Sequence, residues 1–97
     1  MNVGVCKVRL RLPENHSLKG KRRVLSSITT RVKNNYNVSI AEVGGQDVWQ
    51  SVTLGVVCVS NSARQASEIL LKVVNFIRQS KFAIEMLDYE IEIVPSL

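Results

Sequence analysis

Two strand–helix–strand units joined by a tight turn are the architecture this sequence predicts, and three features carry the prediction. The spacing of apolar residues switches from a period of two to a period of about 3.6 and back, twice along the chain. A glycine pair, Gly44-Gly45, separates the two central strand patterns and supplies the turn chemistry of a hairpin. A serine heads each helical stripe, Ser17 and Ser62, where its hydroxyl can accept from the orphan amides of a first turn. The class is α+β, in the order βαββαβ.

Residues 2–12 alternate, with Cys6, Val8, Leu10 and Leu12 on one face and Lys7, Arg9 and Arg11 on the other, as a half-buried strand requires. Pro13 ends that strand and opens a loop through His16. In residues 17–36, Leu18, Val24, Leu25, Ile28, Val32 and Tyr36 fall within about a third of the helical circle, the stripe of an amphipathic helix. Lys19, Arg22, Arg23 and Lys33 fall on the solvent side. Arg31 sits at the stripe's margin, and Lys21 falls on the stripe itself, where only its aliphatic stem packs comfortably. Gly20, if it lies inside the helix, costs roughly 0.5–1 kcal/mol relative to Ala.

Residues 38–43 form a shorter strand with Val38 and Ile40 inward, and Gly44-Gly45-Gln46-Asp47 is the turn. Residues 48–59 form a long strand with Val52, Leu54, Val56 and Cys58 inward. Ser62 with Gln65 fits a capping box, ahead of a stripe of Ala66, Ile69, Leu70, Val73, Val74 and Ile77. Glu68 and Lys72 stand four apart as a favourable helical pair. Residues 85–94 alternate again, Leu87, Tyr89, Ile91 and Ile93 inward and Asp88, Glu90 and Glu92 outward, and Pro95 closes the strand.

Right-handed crossovers interleave these units into a four-stranded antiparallel sheet of order 4-1-3-2 with both helices on one face. That is a ferredoxin-like fold, and residues 1–97 fill one such domain. On the open face, Lys7, Arg9 and Arg11 are expected opposite Asp88, Glu90 and Glu92, each pair worth roughly 0.2–1 kcal/mol. Towards the other end, Val3 and Val5 are expected beside Val57 and Val59, an apolar patch of the kind that marks a partner surface.

The net charge of +5 hides an asymmetry, since residues 1–41 carry nine Lys or Arg against Glu14 alone. A local excess of that size points to a polyanion or an acidic surface. No apolar run approaches the roughly 20 residues of a membrane span, and the N-terminus lacks a signal-peptide pattern. A cytoplasmic protein without membrane contact is expected. Cys6 and Cys58 form no CxxC or zinc spacing and are expected as buried free thiols. With His16 the sole histidine, no metal site, cofactor or catalytic set is assigned.

Lys19, Lys21, Arg22, Arg23, Arg31 and Lys33 are therefore the candidate anion- and nucleic-acid-binding residues, acting through phosphates with little sequence selectivity. The sheet face is not an RNA platform of the RRM type, because its central strands show no Phe or Tyr to stack bases. A rival reading is a homodimeric or adaptor domain using Val3, Val5, Trp49, Val57 and Val59. Trp49 on that reading is an anchor, and otherwise it covers the backbone of its own hairpin. A third reading is an enzyme for a small phosphorylated or carboxylated ligand at the first helix's N-terminus. There PENHSLKGKRR offers cations and amides but no glycine-rich nest and no base for water.

The segments HSLKGKRRVLSSITTRVKNNYNVSIAEVGGQDVWQ, SNSARQASEILLKVVNFI and MLDYEIEIV resemble the YlxP-like family of small bacterial proteins of unknown function. The likeness runs the whole chain, with SLKGKR, NVSIAEV and the Trp-Gln after the turn its most specific parts. It implies a ferredoxin-like α+β fold and a bacterial cytoplasmic protein. Because members are often encoded near translation-initiation and ribosome-maturation genes, it also implies a link to structured RNA or a ribosomal subunit. It supplies no catalytic residue. Gly20 stands where a longer polar residue is expected in relatives.

Overall fold

A computed structural model describes residues 1–46 and 48–95, so Asp47, the last residue of the anticipated turn, lies outside the described residues. The elements run β1 (Asn2–Arg11), α1 (Leu18–Asn35), β2 (Ser39–Gly44), β3 (Ser51–Ser60), α2 (Ala63–Arg78) and β4 (Glu85–Pro95). The strands form one sheet of order β2-β3-β1-β4, every neighbouring pair antiparallel. This is the ferredoxin-like βαββαβ arrangement.

Alternation makes the core. Cys6, Val8 and Leu10 of β1 and Val52, Leu54, Val56 and Cys58 of β3 are buried together with Ala66, Leu70, Val73, Val74 and Ile77 of α2. Each fully buried Val, Leu or Ile contributes roughly 1.5–3 kcal/mol. Helix α2 lies over the middle of the sheet against β1, β3 and β4, whereas α1 rests on β2 and leans against α2. Tyr36 and Phe76 join the helices edge to face, with ring centroids 5.6 Å apart. Both serine caps form: Ser17 Oγ accepts from the Gly20 amide at 2.9 Å and Ser62 Oγ from Gln65 at 3.2 Å. Helix α1 thus begins at Leu18 and carries Gly20 inside its first turn.

Three local expectations are corrected. Strand β3 begins at Ser51 and not at residue 48, because the backbone of residues 48–50 is bonded to the β1–α1 region instead of to a neighbouring strand. In β4, Arg9 faces Asp88 but Leu10 faces Met86, so Leu87 is a bulge residue. An extra residue flips the parity of the strand beyond it, which turns Met86 inward and leaves Leu87 50% exposed. Glu68 bonds back to Arg64 at 3.0 Å and not forward to Lys72.

The charge ladder on the open face differs from the expected one at two rungs, and only the Arg11 rung lies beyond the bulge. Arg9 is held by two bonds to Asp88, Lys7 stands opposite Glu90, Arg11 opposite Glu85, and Glu92 opposite Val5. The Arg9 guanidinium holds the Asp88 carboxyl below its ordinary range. Cys6 and Cys58 are free and buried. Burial pushes the Cys6 thiol up to about 11, and raises Cys58 as well, so neither is a thiolate at neutral pH.

Candidate functional site

Helix α1 has 18 residues and is about 27 Å long at 1.5 Å per residue. Lys19, Arg22, Arg23 and Lys33 all stand exposed on it, in the roughly 100°-wide sector opposite its buried stripe. Ser26 and Thr30, also exposed, sit between them. The first turn holds no acid. Among the described residues none of these four cations, nor Arg31, pairs with a carboxylate; the cations that do are Arg9, Lys21 and Arg64.

Lys21 departs from the set. It is 2% exposed, and its Nζ donates to the carbonyls of Gly45 and Val48 and lies 2.8 Å from Glu42 Oε2. Glu42 Oε2 is itself buried and receives no well-directed hydrogen bond, so the ammonium compensates it by charge more than by geometry. Lys21 fastens α1 to β2 and to the β2–β3 loop. No polyanion can reach it.

Around Lys21 lies a polar brace that the sequence reading missed. Asn15 Nδ2 donates to the Ser17 carbonyl at 2.8 Å and to the Trp49 carbonyl. Gln50 Nε2 donates to the carbonyls of Pro13 and Asn15, at 3.3 and 3.2 Å, and the Leu12 amide donates to Gln50 O. Gly20 completes the brace, since a Cβ there would overlap Asn15 Oδ1. At the turn itself, Gly45 has φ +81°, a backbone that other residues rarely adopt. Only the polar run PENHS and the glycines hinted at any of this.

Trp49 lies in that braced loop, half exposed, and not on β3. Val3 stands opposite Val59 and Val5 opposite Val57 at the far end of the sheet. Six residues of strand carry the chain from Ser51, where β3 leaves the Trp49 loop, to Val57, about 20 Å at 3.3 Å per residue, so the proposed protein-contact residues divide into two places. Arg31 departs from the cationic stripe toward α2. It lines a cleft of about 220 Å³ with Ile28, Phe76, Lys81 and Phe82. Arg23 and Gly20 border a neighbouring cleft that shares Phe82 and includes Glu14. Among the described residues no three His, Cys, Asp or Glu side chains gather as a metal-holding group.

Fold and surface together define a small ferredoxin-like α+β domain with one cation-faced helix. The chain belongs to the family described as protein of unknown function (DUF503), whose model matches residues 3–91. It is 51% identical over 61 residues to the uncharacterized protein YlxP of Bacillus subtilis (strain 168). That match covers 63% of this chain and 66% of the Bacillus protein, just under two thirds of its length. Among solved structures it is similar to SnoaB, a cofactor-independent oxygenase from Streptomyces nogalater. There the TM-score is 0.48 at 12% identity, over 98% of this chain and 92% of that one. Among the described residues no helix is long and apolar enough to cross a membrane.

Proposed function

We propose that this protein is a non-enzymatic binding module that docks on structured RNA, ribosomal RNA included, through the outer face of α1. The observation that carries the reading is the stripe of Lys19, Arg22, Arg23 and Lys33, exposed on one helical face and free of carboxylate partners among the described residues. Unpaired cations gain most from phosphates, because each contact releases condensed counterions. The opposite side of the molecule is close to neutral, because Lys7, Arg9 and Arg11 stand against acids of β4, and it offers a polyanion little to hold. Lysine and arginine on a helix flank read phosphate positions and not bases, so recognition rests on backbone shape.

Fluorescence anisotropy of a labelled RNA hairpin, and co-sedimentation with ribosomal subunits, tests this across a salt series. Four phosphate contacts predict a log–log slope of roughly −3 to −4. The double variant Arg22→Gln, Arg23→Gln is expected to flatten that slope by roughly 1.5–2 and to fold normally, since neither side chain is buried. Binding that is undetectable, or equal in both proteins, overturns the reading.

A further inference from the structure

The open face of the sheet is divided in composition. On β2 and β3, no side chain directed away from the helices is charged. Val43 leans over Gly55, where an added Cβ would stand 3.0 Å from Val43 Cγ1. With Val3, Val5, Val57, Val59 and Val94 it makes a valine field, and Val43, Val59 and Val94 are 55%, 63% and 41% exposed. On β1 and β4 the charges are already matched. Lys7, Arg9 and Arg11 stand opposite Glu90, Asp88 and Glu85, and only Glu92 is left over. The face therefore carries −1, and since the chain carries +5, the rest of the molecule carries +6.

We infer that this face is covered by a second copy of the chain, two sheets stacked face to face about a two-fold axis. A polyanion gains little on a face whose cations already stand against the β4 acids, and a strongly charged protein finds no unpaired charge of useful size. The copy's own face is neutral to within one charge, apolar over the same strands and matched to itself under the two-fold. Strands of 10, 6, 10 and 11 residues, at about 3.3 Å per residue and about 4.8 Å apart, give a little under roughly 600 Å² of projected face per copy. Side-chain relief brings that near the roughly 800 Å² per partner of stable complexes.

The sheet edges are poorer routes to association. Strand β4 carries four acids in 11 residues, so pairing with its own copy would set acid against acid. Strand β2 is only six residues long.

Stacking has a consequence for function, and this consequence rests on the RNA reading while the dimer does not. Sheets stack about 10 Å apart, and a helix layer stands roughly another 10 Å beyond each sheet. The two α1 helices then lie about 30 Å apart on opposite outer faces of the dimer. Such a particle bridges two RNA segments and does not clamp one.

Sedimentation equilibrium of the full chain, over a wide concentration range, is expected to show a dimer. Val57→Lys and, separately, Val59→Lys are expected to give folded monomers with native circular dichroism, while Arg22→Gln, Arg23→Gln remains dimeric. A wild-type monomer at every concentration overturns the inference, as does a dimer that survives both lysine variants. Wild-type monomer that retains a different protein on the valine face, lost in Val57→Lys, also overturns it. Two RNA hairpins carrying donor and acceptor dyes are expected to show energy transfer with wild type. With Val57→Lys each hairpin still binds but the transfer is lost. Dimer formation with no RNA binding would fail the RNA reading alone.

Discussion

Helices α1 and α2 lie side by side on the same sheet and are built on different terms. Helix α2 buries Ala66, Leu70, Val73, Val74 and Ile77, all apolar, and sits over the central strands. Helix α1 is longer, buries only Lys21, Leu25, Ile28 and Val32, and lies toward the β2 side of the sheet. Its first turn is basic, the wrong sign for a helix N-terminus, at a cost of a few tenths of a kcal/mol per charge. It also tolerates Gly20 within that turn. Local propensity therefore does little to place α1. Tertiary contacts place it: the Leu25, Ile28 and Val32 stripe, the Lys21 anchor and the Asn15 brace. The difference teaches that α2 is placed by core packing, while α1 is placed by a few anchors and leaves a cationic outer face exposed.

The largest expected effect measures that difference directly. Leu70→Ala empties a site with no exposure at the centre of the core, and a loss of about 3–5 kcal/mol is expected. Leu25→Ala, at 7% exposure on α1, is expected to lose about 2–3 kcal/mol, because the edge site relaxes more readily. Urea denaturation of the two variants checks the order. Equal losses would remove the contrast between the helices.

The next effect concerns how α1 is anchored. Lys21→Met retains the buried stem but leaves Glu42 Oε2 without its compensating charge, and a loss of about 2–4 kcal/mol is expected. Adding Glu42→Leu should restore most of it, since an apolar pair can replace a buried ion pair. Hydrogen exchange in the β2–β3 loop should rise in both variants, because the Gly45 and Val48 carbonyls lose their donor either way. A double variant no more stable than Lys21→Met alone would show that the ion pair is not what holds α1 down.

Much of this contrast was legible in the chain, and what escaped did so for specific reasons. The two stripes, both serine caps and the inward residues of β1 and β3 follow from periodicity, which is a local property. The bulge at Leu87 escaped because Leu87 and Tyr89 are both apolar, so alternation looks unbroken across the point where parity flips. Val48 and Trp49 looked like strand residues, but their carbonyls go to Lys21 and Asn15, contacts that span 27 and 34 positions. Lys21 announced itself as a charge on an apolar stripe, yet nothing nearby in sequence named Glu42 as its partner. The exposed cations of α1 were found because they too are periodic. Period alone cannot separate a docking face from a solvated one, and the absence of carboxylate partners among the described residues became visible only in three dimensions.

The smallest effect tests whether the brace is what fixes the start of α1. Gly20→Ala alone should gain roughly 0.5–1 kcal/mol from helix propensity. The new Cβ, however, falls inside contact distance of Asn15 Oδ1 and 3.2 Å from Ser17 Oγ, so the Asn15 side chain must move. Its bonds to the Ser17 and Trp49 carbonyls are then lost, at about 0.5–1.5 kcal/mol each. The balance is a net destabilisation of roughly 0.5–2 kcal/mol. Asn15→Ala removes the same bonds without crowding Gly20, and in that background Gly20→Ala should become stabilising by roughly 0.5–1 kcal/mol. The sign therefore reverses between the two backgrounds, which is the coupling a double-mutant cycle reads. Thermal or urea melts of the four proteins measure it. If Gly20→Ala stabilises the wild-type chain as well, Asn15 is not holding the loop, and α1 is placed by its apolar stripe and Lys21 alone.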